Sequence, residues 1–186
     1  MKKRYSKYDS LLFYLSVIAM IILIYSVFFL PYGSLPQNSL LLVGAFILFI
    51  SATAGKQRVI QALEIIVLVG IVLSFLRMNV LYSLAIVLFV ALLIVAYLLR
   101  IEHYKKEPIG AVGSVGFVLL GIGFAFNVGD YPLITGLALA SGALLAAVYS
   151  TTAFWLYKVR LQVVVAVLNV IFAVSPILLI LRVVGI

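Results

Sequence analysis

"VLSFLRMNVLYSL", residues 72–84, decides how many times this chain reverses direction. Aliphatic and aromatic residues fill both flanks, and only Arg77 and Asn79 interrupt them, so 76–79 is the weakest break in the sequence. A turn here divides the chain into seven apolar segments, about 11–30, 39–54, 59–76, 80–99, 109–126, 133–156 and 161–184. The remaining breaks are plainer. "PYGSLPQNS" (31–39) carries two prolines and a glycine, while "GKQR" (55–58), "RIEHYKKEP" (100–108), "NVGDYP" (127–132) and "YKVR" (157–160) are polar or basic, all signals that punctuate helices.

Charge tests the weak break independently. With the amino terminus in the cytoplasm, a seven-segment reading puts Lys2, Lys3, Arg4, Lys7, Lys56, Arg58, Arg100, Lys105, Lys106, Lys158 and Arg160 inside, and leaves only Arg77 and Arg182 outside. Cytoplasmic loops of membrane proteins carry the excess of Lys and Arg. A missed or invented helix would scramble this alternation. The expected fold is therefore all-α: a polytopic membrane protein with a seven-transmembrane-helix bundle, a cytoplasmic amino terminus and an external carboxyl terminus, forming one integral membrane domain over 1–186.

Composition supports the same class. The 186 residues are 67% hydrophobic and 10% charged, with a mean hydropathy of +1.35, whereas soluble domains are about 45–50% apolar. A spanning helix needs about 20 apolar residues to cross about 30 Å of hydrocarbon, and such runs fill nearly the whole chain. The net charge of +8 implies anionic lipid headgroups on the cytoplasmic side as partners rather than nucleic acid, each nearby cation contributing about 1 kcal/mol. The chain has no cysteine, which excludes disulfides, thiolate metal sites and cysteine nucleophiles. The basic start resembles a signal peptide, but its apolar body exceeds the usual 7–15 residues and no small-x-small site follows. It reads as a retained first helix. Tyrosines and Trp155 mostly fall near segment ends, where amphipathic rings settle at the membrane surface; the expected setting is a prokaryotic plasma membrane.

A faint internal repeat emerges on a shift of 51 residues: "VLVGIVLSF" (67–75) overlays "VLLGIGFAF" (118–126). Both copies run in the same direction, unlike the inverted repeats with broken midplane helices that mark many transporters.

Small residues concentrate in the fifth and sixth segments. Ala138, Gly142, Ala146 and Ser150 recur every four positions, Gly136, Ala140, Ala143 and Ala147 form a neighbouring stripe, and Gly113 and Gly116 stud the fifth. In lipid, close backbone approach through small residues drives helix association. These positions form a packing seam, either between helices five and six or toward a second copy or another membrane subunit.

Three polar groups interrupt the apolar segments in ways that bear on function. Glu64 follows Gln57 and Gln61 at i, i+7 and i+4 spacing, a stripe on one helical face leading back to the cytoplasmic loop. Asn169 falls near the middle of the seventh segment. Together Glu64, Gln61 and Asn169 make a candidate proton or cation site. The plainer alternative for Glu64 is a carboxylate reaching the inner boundary or pairing with Lys158 or Arg160. "RIEHYKKE" (100–107) holds the only histidine, His103, with Glu102 and Glu107, but its lysines and arginine supply counter-ions and the stretch reads as a solvated connector. "YSTT" (149–152) has no acid or base close in sequence to activate a hydroxyl.

No catalytic, metal or cofactor-binding motif is present. The leading expectation is a non-enzymatic structural or accessory subunit of a membrane assembly held by small-residue seams. The alternative is a small transporter or channel with a proton or cation site at Glu64, and an intramembrane enzyme comes third.

Overall fold

The computed structural model describes residues 7–101, 104, 108–126 and 131–185. They form seven α-helices: α1 (Lys7–Phe29), α2 (Leu35–Ala54), α3 (Arg58–Leu76), α4 (Val80–Leu98), α5 (Pro108–Ala125), α6 (Pro132–Tyr157) and α7 (Arg160–Val184). Six are long and apolar enough to cross a membrane by length and composition, and α5 is apolar over the shorter span Ile109–Ala125. Several long apolar helices with this composition mark an integral membrane protein. The connector residues Glu102, His103, Lys105, Lys106 and Glu107 lie outside the described residues.

The weak break resolves into a compact turn. Arg77 ends α3 in the left-handed region (φ 46°), its amide donating to the Ser74 carbonyl, and the Asn79 side chain caps α4 by accepting from the Leu81 amide at 2.9 Å. Side-chain oxygens at such caps satisfy amides that the first turn leaves orphaned. Helix α2 starts at Leu35, four residues before the expected Ser39. Ser34 caps it by accepting from the Gln37 amide at 3.3 Å, and Pro36 sits in the first turn, where a missing N–H costs nothing. The prolines that read as a break are a helix start.

Short connectors force successive helices antiparallel. The most extensive contact joins α6 and α7, followed by α5 with α6, then α1 with α2 and α3 with α5; α2 with α3 and α1 with α7 complete a closed ring of α1, α2, α3, α5, α6 and α7. Helix α4 stands outside it, in the groove between α3 and α5, burying only the stripe Ser83, Val87, Ala91 and Leu98. One end of the bundle carries Gly33, Arg77 and Phe126, and the opposite end carries Lys56, Leu99 and Lys158. We refer to the Arg77 end and the Lys56 end.

The small residues set the spacing of the ring. A Cβ added at Gly142 of α6 would lie 2.7 Å from the Leu120 backbone nitrogen and 2.8 Å from the Gly116 carbonyl oxygen, and one at Gly116 would lie 2.7 Å from the Ala146 nitrogen. Gly113 leaves room for the Tyr149 ring. Ala138, Ala146 and Ser150 are buried, Ala146 and Ser150 completely. Gly136 on the neighbouring stripe abuts Ile180 and Pro176 of α7. Helix α6 thus presents one small-residue stripe to α5 and another to α7.

Candidate functional site

Glu64 lies six residues into α3, about 9 Å along its axis from Arg58. Its side chain is buried, at 4% exposure. It lines a chamber of about 40 Å³ with Leu48 of α2, Val67 of α3, Leu120 of α5 and Asn169 of α7, enough room for one or more waters. Leu23 of α1 and Phe117 of α5 also line it. The five helices that surround it are all members of the ring.

The Glu64 carboxyl group makes no hydrogen bond or ion pair with a described residue. Of the pairings expected for it, neither Lys158 nor Arg160 forms an ion pair with Glu64. The Lys158 ammonium sits 4.5 Å from the Trp155 ring centroid and 5.6 Å from that of Phe154, an arrangement in which the ring quadrupole attracts the cation. The Arg160 guanidinium lies 5.9 Å from the Phe13 ring centroid. Glu64 shares its buried face with Val67 and Ile71, which line the same chamber.

Glu64 and Asn169 come together in this chamber, and Gln61 does not. Gln61 is half-buried outside the lining, and Gln57 spends its amide on the Gly55 carbonyl at 3.2 Å. Asn169 donates from Nδ2 to the Val165 carbonyl at 2.8 Å. Because only the NH₂ side of an amide can pair with a carbonyl, this bond fixes the amide's orientation and leaves Oδ1 as its free group. The chamber thus offers a carboxyl group, an amide oxygen and the second N–H of the Asn169 amide.

A larger cavity, about 270 Å³, opens at the Arg77 end. Tyr32, Gln37, Asn38, Ser74 and Arg77 supply its polar wall. Asn38 donates from Nδ2 to the Ser74 hydroxyl at 3.2 Å, fastening α2 to α3, and Tyr32 shares a hydrogen bond with Ser175 of α7. Burial pushes the Tyr32 phenol above its ordinary pKa, opposed by the Ser175 bond, so the hydroxyl stays protonated at neutral pH. Gln37 is 2% exposed; its Oε1 accepts from the Gly33 amide at 2.7 Å, while Nε2 has no partner. A buried amide donor left unpaired costs about 1–3 kcal/mol.

The two cavities share Ile71, Phe124 and Phe172 in their linings. Phe124 and Phe172 meet edge to face, with centroids 5.6 Å apart, and form with Ile71 an apolar layer between vestibule and chamber. Sequence reading missed the vestibule because its polar residues lie in or beside "PYGSLPQNS" and "LRMN", which pass as connectors. The usable signal was the density of amides, Gln37 and Asn38, inside an otherwise apolar chain.

Among the described residues no three His, Cys, Asp or Glu side chains gather as a metal cluster would require. Compared with known proteins, the chain matches no family model, no curated sequence and no solved structure.

Proposed function

We propose that this chain is a non-enzymatic transport protein of the membrane, with a proton-binding site at Glu64 and Asn169 and a solute vestibule at the Arg77 end. The observation that carries the reading is the Glu64 carboxyl group, without a partner among the described residues, lining one chamber with Asn169 inside the ring. An ionised side chain costs about 2.5–3.5 kcal/mol at a helix centre on insertion scales and less nearer an end, and intramembrane carboxyls mark proton and ion pathways. A proton fits better than a metal ion. Hard cations such as Ca²⁺ take 6–8 oxygen ligands, and the described side chains around the chamber supply only Glu64 and Asn169.

The orientation is part of the proposal: the Lys56 end faces the cytoplasm and the Arg77 end faces out, on the strength of the eleven-to-two distribution of Lys and Arg. The accessory-subunit reading rested on small-residue seams available to a partner. Gly113, Gly116, Gly136, Gly142 and Ala146 instead pack within the chain, which removes its main support.

Proteoliposomes loaded with a pH-sensitive dye and placed under a potassium diffusion potential provide the test. Wild-type protein should shift the luminal pH, and Glu64→Gln should not. Identical traces from the two proteins would overturn the assignment.

A further inference from the structure

We propose that protons reach Glu64 from the Arg77 end, through the layer of Ile71, Phe124 and Phe172, and that this layer is a gate hinged at Pro176 of α7. The access route deepens the proton-site reading and rests on it.

The chamber is sealed differently on its two sides. Toward the Arg77 end the seal is one side chain deep, because Ile71, Phe124 and Phe172 each border both the chamber and the vestibule. Phe172 stands one turn of α7 beyond Asn169, about 4.5 Å along the axis. Toward the Lys56 end the helices close on one another. One turn in that direction from Leu48, Glu64 and Asn169 stand Ala52, Ile60 and Val165, none more than 1% exposed. The Tyr149 ring fills the space beside Gly113 on the same side. Hydrophobic constrictions gate a pathway by excluding water, and the thinner constriction is the one at the Arg77 end.

That layer also has a means of moving. Pro176 lies inside α7 and has no N–H, so the Phe172 carbonyl, four residues earlier, loses its helical donor. The turn that carries the gate residue is therefore short of a backbone hydrogen bond. Across the layer Phe172 meets Phe124 edge to face at 5.6 Å. Beside the hinge, Ser175 shares a hydrogen bond with Tyr32 of the α1–α2 connector, a latch that ties α7 to the vestibule wall. Releasing the latch and bending α7 at Pro176 parts the two rings and joins vestibule water to the chamber.

The test exploits the lack of native cysteine. Val67 lines the chamber, so Val67→Cys places a single thiol there. The probe is silver ion, which is small, cationic and confined to water. Purified full-length Val67→Cys protein in detergent is exposed to silver nitrate for increasing times and freed of excess silver. The remaining thiol is counted with a maleimide after unfolding. Adding Phe172→Ala should speed the loss of thiol by about tenfold, the rate equivalent of one aromatic pair. Tyr32→Phe should speed it as well with every layer side chain in place, and Pro176→Ala, which restores the amide, should slow it. Ile60→Ala, a buried truncation on the Lys56 side, should leave the rate unchanged. A rate indifferent to Phe172→Ala, or raised equally by Ile60→Ala, overturns the gate. If melting shows that Phe172→Ala does not fold, Tyr32→Phe decides, and an unchanged rate there overturns it too. Silver entry needs no transport, so the two readings fail separately. A Glu64-dependent pH shift with a silver rate indifferent to the layer strikes the gate alone. A layer-dependent silver rate without a Glu64-dependent pH shift strikes the transport reading.

Discussion

Gly70 of α3 and Gly121 of α5 lie backbone to backbone: a Cβ on Gly70 would strike the Gly121 carbonyl oxygen, and one on Gly121 would come within 2.9 Å of the Ile66 carbonyl oxygen. These are equivalent positions in the 51-residue repeat, so the two copies meet at their own matching glycines. The contact draws α3 close enough to α5 for Glu64 and Leu120 to share a wall. Gly70→Leu should lower stability by about 1–3 kcal/mol, the usual scale of overpacking, read as thermal unfolding in detergent. A Gly70→Leu protein as stable as wild type would show that the two helices separate freely.

The same reasoning applies to α6. Gly142→Leu should destabilise to a similar extent, about 1–3 kcal/mol, because its Cβ would meet the α5 backbone at 2.7 Å. Ser141→Leu, one residue away on the exposed face, should be nearly neutral. Equal effects from the two would mean that the α5–α6 seam does not discriminate between faces.

Glu64→Gln keeps the shape of the side chain and removes its charge. Since no described residue pairs with the carboxyl group, the variant should match or exceed wild type in thermal stability while losing the luminal pH shift. A drop of more than about 0.6 kcal/mol, the mean value of an interhelical polar contact in a membrane protein, would reveal a partner that the variant has lost.

How much of this was legible beforehand differs by level. Seven helices follow from polar breaks and charge alternation. The start of α2 moved because local chemistry at Ser34 and Pro36 overrode the proline signal, and α1 starts four residues early, at Lys7. Pairing of helices was not legible, because an apolar face is equally suited to lipid or to a neighbour. That is why Glu64 appeared to belong with Gln57 and Gln61. Those three follow one helical spacing, but the polar side chain that lines a chamber with Glu64 is Asn169, 105 residues away in the chain. Asn169 and Glu64 were each conspicuous alone, and only the ring shows that they share a chamber.

Tyr32 and Ser175 hold the α1–α2 connector to α7. Tyr32→Phe and Ser175→Ala should each cost about 1 kcal/mol, and the double variant should cost less than their sum, since both remove one bond. Burial raises the Tyr32 pKa above 10.0, so the neutral phenol contributes fully below that value and its contribution fades as pH climbs through the higher folded-state value. The alkaline loss of stability should therefore shrink in Tyr32→Phe. Additive single effects would show that the two hydroxyls act apart.

The chain has no native cysteine, which makes orientation simple to measure. In intact cells, Met78→Cys should react with an impermeant thiol reagent, while Lys56→Cys and Lys158→Cys should react only after permeabilisation. Labelling of Lys158→Cys from outside would invert the proposed orientation and put the cavity at the Arg77 end on the cytoplasmic face.

Helix α4 takes no part in the ring, yet the ring depends on it. Helices α3 and α5 run the same way and touch at Gly70 and Gly121, and parallel neighbours cannot be joined by a tight turn, just as parallel strands need a crossover. Helix α4 is the return stroke between them, a crossover laid along the outside of the groove it bridges. Its job is connectivity. The apolar residues it turns outward, Leu81, Phe89 and Leu92, are free to drift among apolar types, while the stroke itself is not dispensable: without α4, α3 and α5 could not lie parallel and meet at Gly70 and Gly121.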